Sequence, residues 1–314
     1  MIVGTVAAAL QVVLIVAGAP LLHGVMHQVR ARMEGRRGPG VLQPWRELRK
    51  LLRKEPITAD GSGPVFRAAP YVLFASTVVI AAVAPLLTTF SPLDALADLF
   101  AVVALLLLGT VMLGLAGLDT GTAFGGMGSS RGITVAALVE PTILLAVFAL
   151  SARVGSSNLA QIVSTHQSDP LLVISPAALL AAVALALVTI AETGRLPVDN
   201  PSTHLELTMI HEAQVLEYAG PDLALVELSS VMRLTLLLGL VANLFAPWGV
   251  AAEPGLLALL IAVLALVVKV GVLGAALAAG EVFLAKLRLF RIPELLAGSF
   301  LLALLAVTAS FFLA

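Results

Sequence analysis

Cysteine is absent from this chain of 314 residues. No disulfide, thiolate zinc site or cysteine-ligated iron–sulfur cluster can form on it. If the protein serves redox chemistry, a partner carries the electrons. Charge is scarce too: 12% of the residues are Asp, Glu, Lys or Arg, whereas 60% are hydrophobic. Soluble domains are about 25% charged. Half that charge cannot dress a soluble globule of this size, so water-soluble enzyme folds are excluded and an integral membrane protein remains. The net charge of -1 offers no basic field for nucleic acid. No basic stretch precedes the first apolar run, and residues 2–22 are long enough to span, so they are expected to be the first helix of the mature protein and not a cleaved signal. No appended soluble domain and no inverted repeat of the transporter kind is legible.

Long apolar runs fill the rest. A bilayer core of about 30 Å needs about 20 apolar residues in a helix. Eight segments qualify: 2–24, 68–90, 97–118, 133–152, 171–190, 224–246, 255–279 and 293–314. Lipid admits only helices or closed barrels, and no short alternating segments suggest a barrel. The fold class is therefore all-α: a polytopic transmembrane bundle of about eight spans, one integral membrane domain over 1–314. Gly271, Gly274, Ala275 and Ala278 suit close helix packing. Ten of the 18 basic residues lie between Arg30 and Arg67, and five more fall in loops of the same side. The opposite side has Arg153. By the positive-inside rule, both termini face outward and the long loops 28–67 and 191–223 face the cytoplasm. With the chemistry on one side, something is expected to dock there.

In the first loop, Gly38-Pro39-Gly40 breaks the chain and Pro44 starts a helix. Trp45, Leu48, Leu51 and Leu52 share one face; Arg46, Lys50 and Lys54 repeat at i, i+4 on another. This is an interfacial amphipathic helix, serving as a headgroup anchor, a docking platform, or both. Glu140 sits in mid-span before Pro141, where a carboxylate costs a few kcal/mol or more; it is a structural carboxylate or a protonatable relay. The 191–227 region holds Glu192, Asp199, Glu206, Glu212, Glu217, Asp222 and Glu227, seven of the 19 acids. Between Glu206 and Glu217 they alternate with Leu, Met and Ile, which suggests a segment lying against the bundle. Clustered acids raise one another's pKa, which suits proton exchange. His204 and His211 are seven apart, without metal-site spacing; proton handling or hydrogen bonding suits them better. Arg233 and Lys269 lie within spans and are expected to share a polar axis with Glu140, while Glu281 is either part of it or a boundary residue. The Gly-rich run 121–130 lacks a phosphate-loop lysine and reads as a flexible turn.

Two stretches carry a resemblance. ARMEGRRGPGVLQPWRELRKLLRKE is similar to the first loop of the subunit 1 (H subunit) family of respiratory complex I, through Arg37, Gly38, Pro39, Leu42, Gln43, Pro44, Glu47, Lys50, Leu51, Leu52, Lys54 and Glu55. AETGRLPVD resembles its second signature through Glu192, Thr193, Arg195, Pro197 and Asp199, with Val198 in place of Phe. The quinone-reducing branch has a longer stretch where this chain has Gly38-Pro39-Gly40, and further acids where Ser202 and His204 stand. The run from Asp199 to Glu227 resembles the membrane-anchor subunit of formate hydrogenlyase and hydrogenase-4-type [NiFe] hydrogenases instead.

That resemblance implies a non-catalytic membrane subunit of an oxidoreductase complex in the cell inner membrane, coupling redox turnover to ion movement. Arg36, Arg37, Gln43, Arg46, Glu47, Lys50, Arg195, His204 and His211 would dock hydrogenase-like large and small subunits, with antiporter-like subunits alongside. Glu140, Glu192, Asp199, Glu206, Glu212, Glu217, Glu227, Arg233, Lys269 and Glu281 would form a proton pathway. Iron–sulfur clusters and any [NiFe] centre would belong to partners; this chain would bind no cofactor or metal. A quinone-binding subunit, a stand-alone secondary transporter and a passive scaffold are the rival readings.

Overall fold

The structure is a computed structural model that describes residues 2–199 and 209–312. The described residues form eleven α-helices in chain order: α1 (Ile2–Met33), α2 (Gln43–Leu52), α3 (Pro64–Val83), α4 (Leu99–Asp119), α5 (Ala123–Val154), α6 (Leu159–Ser168), α7 (Pro176–Glu192), α8 (His211–Val215), α9 (Gly220–Phe245), α10 (Leu256–Phe283) and α11 (Ile292–Phe312). Seven are long and apolar enough to cross a membrane. The eighth expected span is α7, whose 17 residues reach about 25 Å at about 1.5 Å each. It lies inside the bundle against α5, α9 and α11. Ala178, Ala181 and Ala184 are fully buried there, because small side chains let backbones approach where no hydrophobic effect drives association. The protein is a multi-pass membrane bundle.

Two boundaries differ from expectation. The second span was expected to reach residue 90, but α3 ends at Val83. Ala84 is extended, as the residue before Pro85 tends to be. The buried chain beyond it needs partners for its polar groups. Gln11 donates to the Ala81 and Ala84 carbonyls at 2.6 and 2.7 Å and accepts from Leu87 N–H at 2.9 Å. Asn243 donates to the Pro85 and Leu86 carbonyls at 3.0 and 2.9 Å. The Gly-rich run, expected to be a flexible turn, is instead the first turns of α5, capped by Thr122. Gly128 of this run and Gly132 just after it serve close approach: a Cβ on Gly128 would stand 2.7 Å from Ala213 Cβ, and one on Gly132 2.4 Å from Gln214 Nε2. They let α8 lie on α5.

At the basic end of the bundle, residues 34–42 fold back over α1. A Cβ on Gly24 would lie 1.9 Å from the Val41 carbonyl oxygen. Pro44 opens α2, whose Pro44 and Leu48 are buried while Arg46, Arg49 and Lys50 stay exposed. The Trp45 indole donates to the Ala17 carbonyl at 3.2 Å, one turn before Pro20 in α1. The amphipathic helix thus lies along the bundle, although Leu52, expected on its apolar face, is 57% exposed.

Candidate functional site

Three ionisable residues meet in the middle of the bundle. Arg233 of α9 pairs with Glu192 at the end of α7, Nη2 to Oε1 2.6 Å, with the two side chains 11% and 3% exposed. The guanidinium also donates to Thr110 Oγ1 of α4 at 2.8 Å and to the Leu106 carbonyl. The Thr110 hydroxyl lies 3.2 Å from Glu192 Oε1. Glu140 of α5 is 4% exposed, and neither carboxyl oxygen has a hydrogen-bond partner among the described residues. Glu192 and Arg233 both act on it electrostatically. Of the residues expected to share an axis with Glu140, Arg233 lies near enough to act on it, together with Glu192. Lys269 is elsewhere: its Nζ donates to Asn243 Oδ1 at 3.1 Å, next to the loop that follows α3. The structure does not bring it to Glu140.

Two adjoining cavities lead from this group to the basic end. The inner one, of about 80 Å³, is lined by Thr110, Glu192, Arg233, Gln214 and His211 among others. The outer one, of about 680 Å³, lies among α1, α2, α9 and the chain after α7. Arg30, Lys50, Lys54 and Arg195 line it, and so do Glu47, Asp199, Glu212 and Glu227. Four acids facing four bases suit water better than an apolar ligand.

A second ionic group forms one wall. Glu281, 4% exposed, pairs with Arg30 and Arg195, each at 3.7 Å. It is a buried partner of two arginines and not a boundary residue. Arg195 Nη2 lies 2.9 Å from His23 Nδ1. A guanidinium only donates, so His23 Nδ1 accepts and its proton sits on Nε2. The His27 ring packs 4.2 Å from that of His23. Arg195, expected at the docking surface, is thus only 7% exposed and holds α1 to α10. Burial pushes its guanidinium below the ordinary value, and Glu281 opposes the shift.

Asp199 is a structural carboxylate in this arrangement. Its Oδ2 accepts the N–H groups of Ile210 and His211 at 3.2 and 3.1 Å, and its Oδ1 pairs with Lys286 at 3.2 Å. Burial lowers the His211 pKa; Glu212 and Asp199 pull it up, Arg233 and Arg195 push it further down. Tyr218 stacks on Phe66 with ring centroids 4.1 Å apart and donates to the Phe66 carbonyl at 2.8 Å. Burial raises its phenol pKa, so it stays a donor.

Comparison with known proteins fits this architecture. A family model described as NADH dehydrogenase matches residues 5–312. The chain belongs to the NADH dehydrogenase family. Within it, the chain is 37% identical to formate hydrogenlyase subunit 4 of Escherichia coli (strain K12), over 95% of each. It is 35% identical to hydrogenase-4 component C of the same strain, over 83% of this chain and 81% of that one. It is 28% identical to the NADH-ubiquinone oxidoreductase chain 1 of Triticum aestivum, over 72% of each. A chain of the membrane-bound sulfane sulfur reductase, an archaeal respiratory membrane complex, shares the fold with a TM-score of 0.86 at 21% identity, covering 99% of this chain and all of that one.

The other nominated residues of this NADH dehydrogenase family chain fall in three places. Arg36, Arg37, Arg46, Glu47 and Lys50 are exposed on the basic end; Gln43 donates to Glu47 at 3.0 Å and Arg36 pairs with Glu34. Glu212 and Glu227 line the outer cavity, while half-buried Glu217 lines neither. Glu206 and His204 lie outside the described residues. Sequence reasoning missed Thr110, His23 and His27. The histidines' i, i+4 spacing inside the first span was the available signal, and Thr110 stands out as the single hydroxyl residue of α4.

Proposed function

We propose that this chain is the membrane-anchor and proton-pathway subunit of a formate hydrogenlyase/hydrogenase-4-like complex. It resides in the cytoplasmic membrane, with α2 and the long loops on the cytoplasmic side. The observation that carries the reading is Glu140: a carboxyl buried in mid-span without a hydrogen-bond partner among the described residues, under the electrostatic influence of the Glu192–Arg233 pair, which lines the inner of two adjoining cavities. A buried acid that only braced helices would be held by donors. One left free is suited to gain and lose a proton as nearby charge changes.

The chemistry belongs to docked partners, a hydrogenase-like large subunit and a cluster-bearing small subunit, with antiporter-like subunits in the membrane. The exposed arginines and lysines of residues 36–54 offer them a charged platform. Redox turnover alters charge at that platform, and groups in a low dielectric respond strongly to such changes. The quinone-binding alternative finds less support in an outer cavity lined by eight charged side chains.

The test is the assembled complex carrying Glu140→Gln or Glu192→Gln, reconstituted in vesicles. Both variants assemble, and turnover-driven proton movement is lost. Wild-type proton movement in both would overturn the reading. Gentle detergent extraction followed by mass spectrometry tests the partners: hydrogenase-like and antiporter-like chains co-purify. A chain that runs alone would favour a stand-alone transporter.

A further inference from the structure

The two cavities are separated by a thin partition. Thr193, Gly194, Asp199, His211 and Ser230 line both of them. These shared residues mark where the charged outer cavity adjoins the one that Glu192 lines. Two of the five side chains titrate, and Asp199 is already occupied by two backbone N–H groups and Lys286. Thr193 donates its hydroxyl back to the Thr189 carbonyl at 2.7 Å. The His211 ring is different: among the described residues nothing hydrogen-bonds it. Gly194 stands across from it with φ +59, and even a Cβ there would come no nearer than 3.9 Å to His211 Cβ.

We propose that the His211 imidazole carries protons across this partition. The inference rests on the proton-pathway reading above and adds to it the group that joins the two chambers. The step moves one proton and breaks no other bond. An acid or water of the outer cavity, which Glu212 and Glu227 line, gives a proton to one ring nitrogen. The other ring nitrogen releases its own proton into the inner cavity toward Glu192. Rotation of the ring, or exchange of its tautomer, restores the start. The charged groups that act on the ring are Glu212 and Asp199, which favour the imidazolium, and Arg233 and Arg195, which oppose it. Burial also works against the cation, so the ring holds a proton briefly and is a carrier, not a store.

The experiment uses the assembled complex in vesicles with an enclosed pH-sensitive dye, and it measures proton movement driven by redox turnover. His211→Gln keeps the size and hydrogen bonding of the side chain but does not titrate. His211→Ala removes the ring, and free imidazole supplies it again. We expect proton movement to fall about a hundredfold in both, the low end for a positioned proton-transfer group. We expect added imidazole to restore the alanine variant and leave the glutamine variant unchanged. Both results together support the inference; any other combination overturns it, including a glutamine variant at the wild-type rate or an alanine variant that imidazole does not rescue. Glu140→Gln serves as the control for the underlying reading. If that variant loses proton movement while the His211 variants keep it, His211 is not the carrier and the pathway stands. If Glu140→Gln and Glu192→Gln also keep it, the pathway itself fails.

Discussion

Replacing Arg233 with Met removes the cation at the centre of the bundle and tests whether the central group is one interacting unit. Glu192 is 3% exposed at its side chain, and its Oε1 loses a partner at 2.6 Å. What remains among the described residues is the Thr110 hydroxyl at 3.2 Å. The Leu106 carbonyl and Thr110 Oγ1 also lose a donor. Breaking one side of a buried ion pair costs about 3–5 kcal/mol, because the stranded charge keeps its desolvation penalty. The expected loss for Arg233→Met is therefore about 3–5 kcal/mol, roughly two to nearly four orders of magnitude in the folded-to-unfolded ratio. Adding Glu192→Gln removes the stranded charge. An amide can still accept from Thr110, so the double variant should recover roughly 2–4 kcal/mol of that loss.

The assay is denaturant titration of the purified chain in mixed micelles, followed through its two tryptophans, for wild type, both single variants and the double variant. The coupling energy comes from the cycle and not from either single change. A single Arg233→Met loss below about 1 kcal/mol would refute the argument, since that is the size of a solvent-exposed pair. A double variant no more stable than Arg233→Met alone would refute it as well, because the cost would then come from lost packing and not from a stranded carboxylate.

Gln11→Leu strands Leu87 N–H and two carbonyls, and should cost about 2–3 kcal/mol in the same titration; an unchanged midpoint would show that water replaces the amide. Gly24→Ala pushes a methyl group into the Val41 carbonyl, so residues 34–42 must lift from α1, at a cost of about 1–3 kcal/mol; limited proteolysis should then cut that segment faster than in the parent. His166 is buried with Nδ1 2.9 Å from the Leu244 carbonyl, and burial lowers its pKa. Its neutral form favours the fold, so its contribution is complete above about pH 6.5 and falls as the pH drops from there toward the lowered folded value. The fall in stability from pH 7 to pH 5 should shrink in His166→Gln, and equal slopes in both proteins would count against it. The chain has no cysteine, so a single cysteine at exposed Arg49 or Leu171 reports topology without background. An impermeant thiol reagent should reach Arg49→Cys from the cytoplasmic side and Leu171→Cys from the other; the reverse pattern would invert the orientation.

The sequence revealed the bundle because lipid imposes a strong rule: a stretch of about 20 apolar residues forms a helix or does not span. It revealed Glu140 and Arg233 because a charge inside such a stretch is costly and stands out. It did not reveal which charges meet. Lys269 looked like a companion of Glu140, yet it serves Asn243, whose amide is needed where Pro85 ends α3 early. Glu281 looked like a member of the same axis or a boundary residue, because it sits near the end of an apolar run. Its burial depends on Arg30 and Arg195, which are 251 and 86 residues away. Arg195 looked like a docking residue because loops are normally exposed. The glycines of 121–130 read as a turn because glycine weakens isolated helices by about 1 kcal/mol each. In contact with α8 the same glycines are what allows the packing. In each case the period of the chain was readable and the partner across the bundle was not.

These placements divide the ionisable residues into two kinds. Arg195, Asp199 and Lys286 are held by hydrogen bonds: Arg195 by His23, and Asp199 by two backbone N–H groups and Lys286. These contacts hold the side chains in place. Glu140 is the contrary case, buried with no hydrogen-bond partner for its carboxyl among the described residues, and the half-buried His211 ring faces both cavities. A group in that state responds to a charge that appears several ångströms away, because no local donor or acceptor outweighs it. A pathway through this membrane domain therefore needs both kinds: paired residues to keep its walls in place, and unpaired ones, spaced along its length, to change protonation while the walls hold.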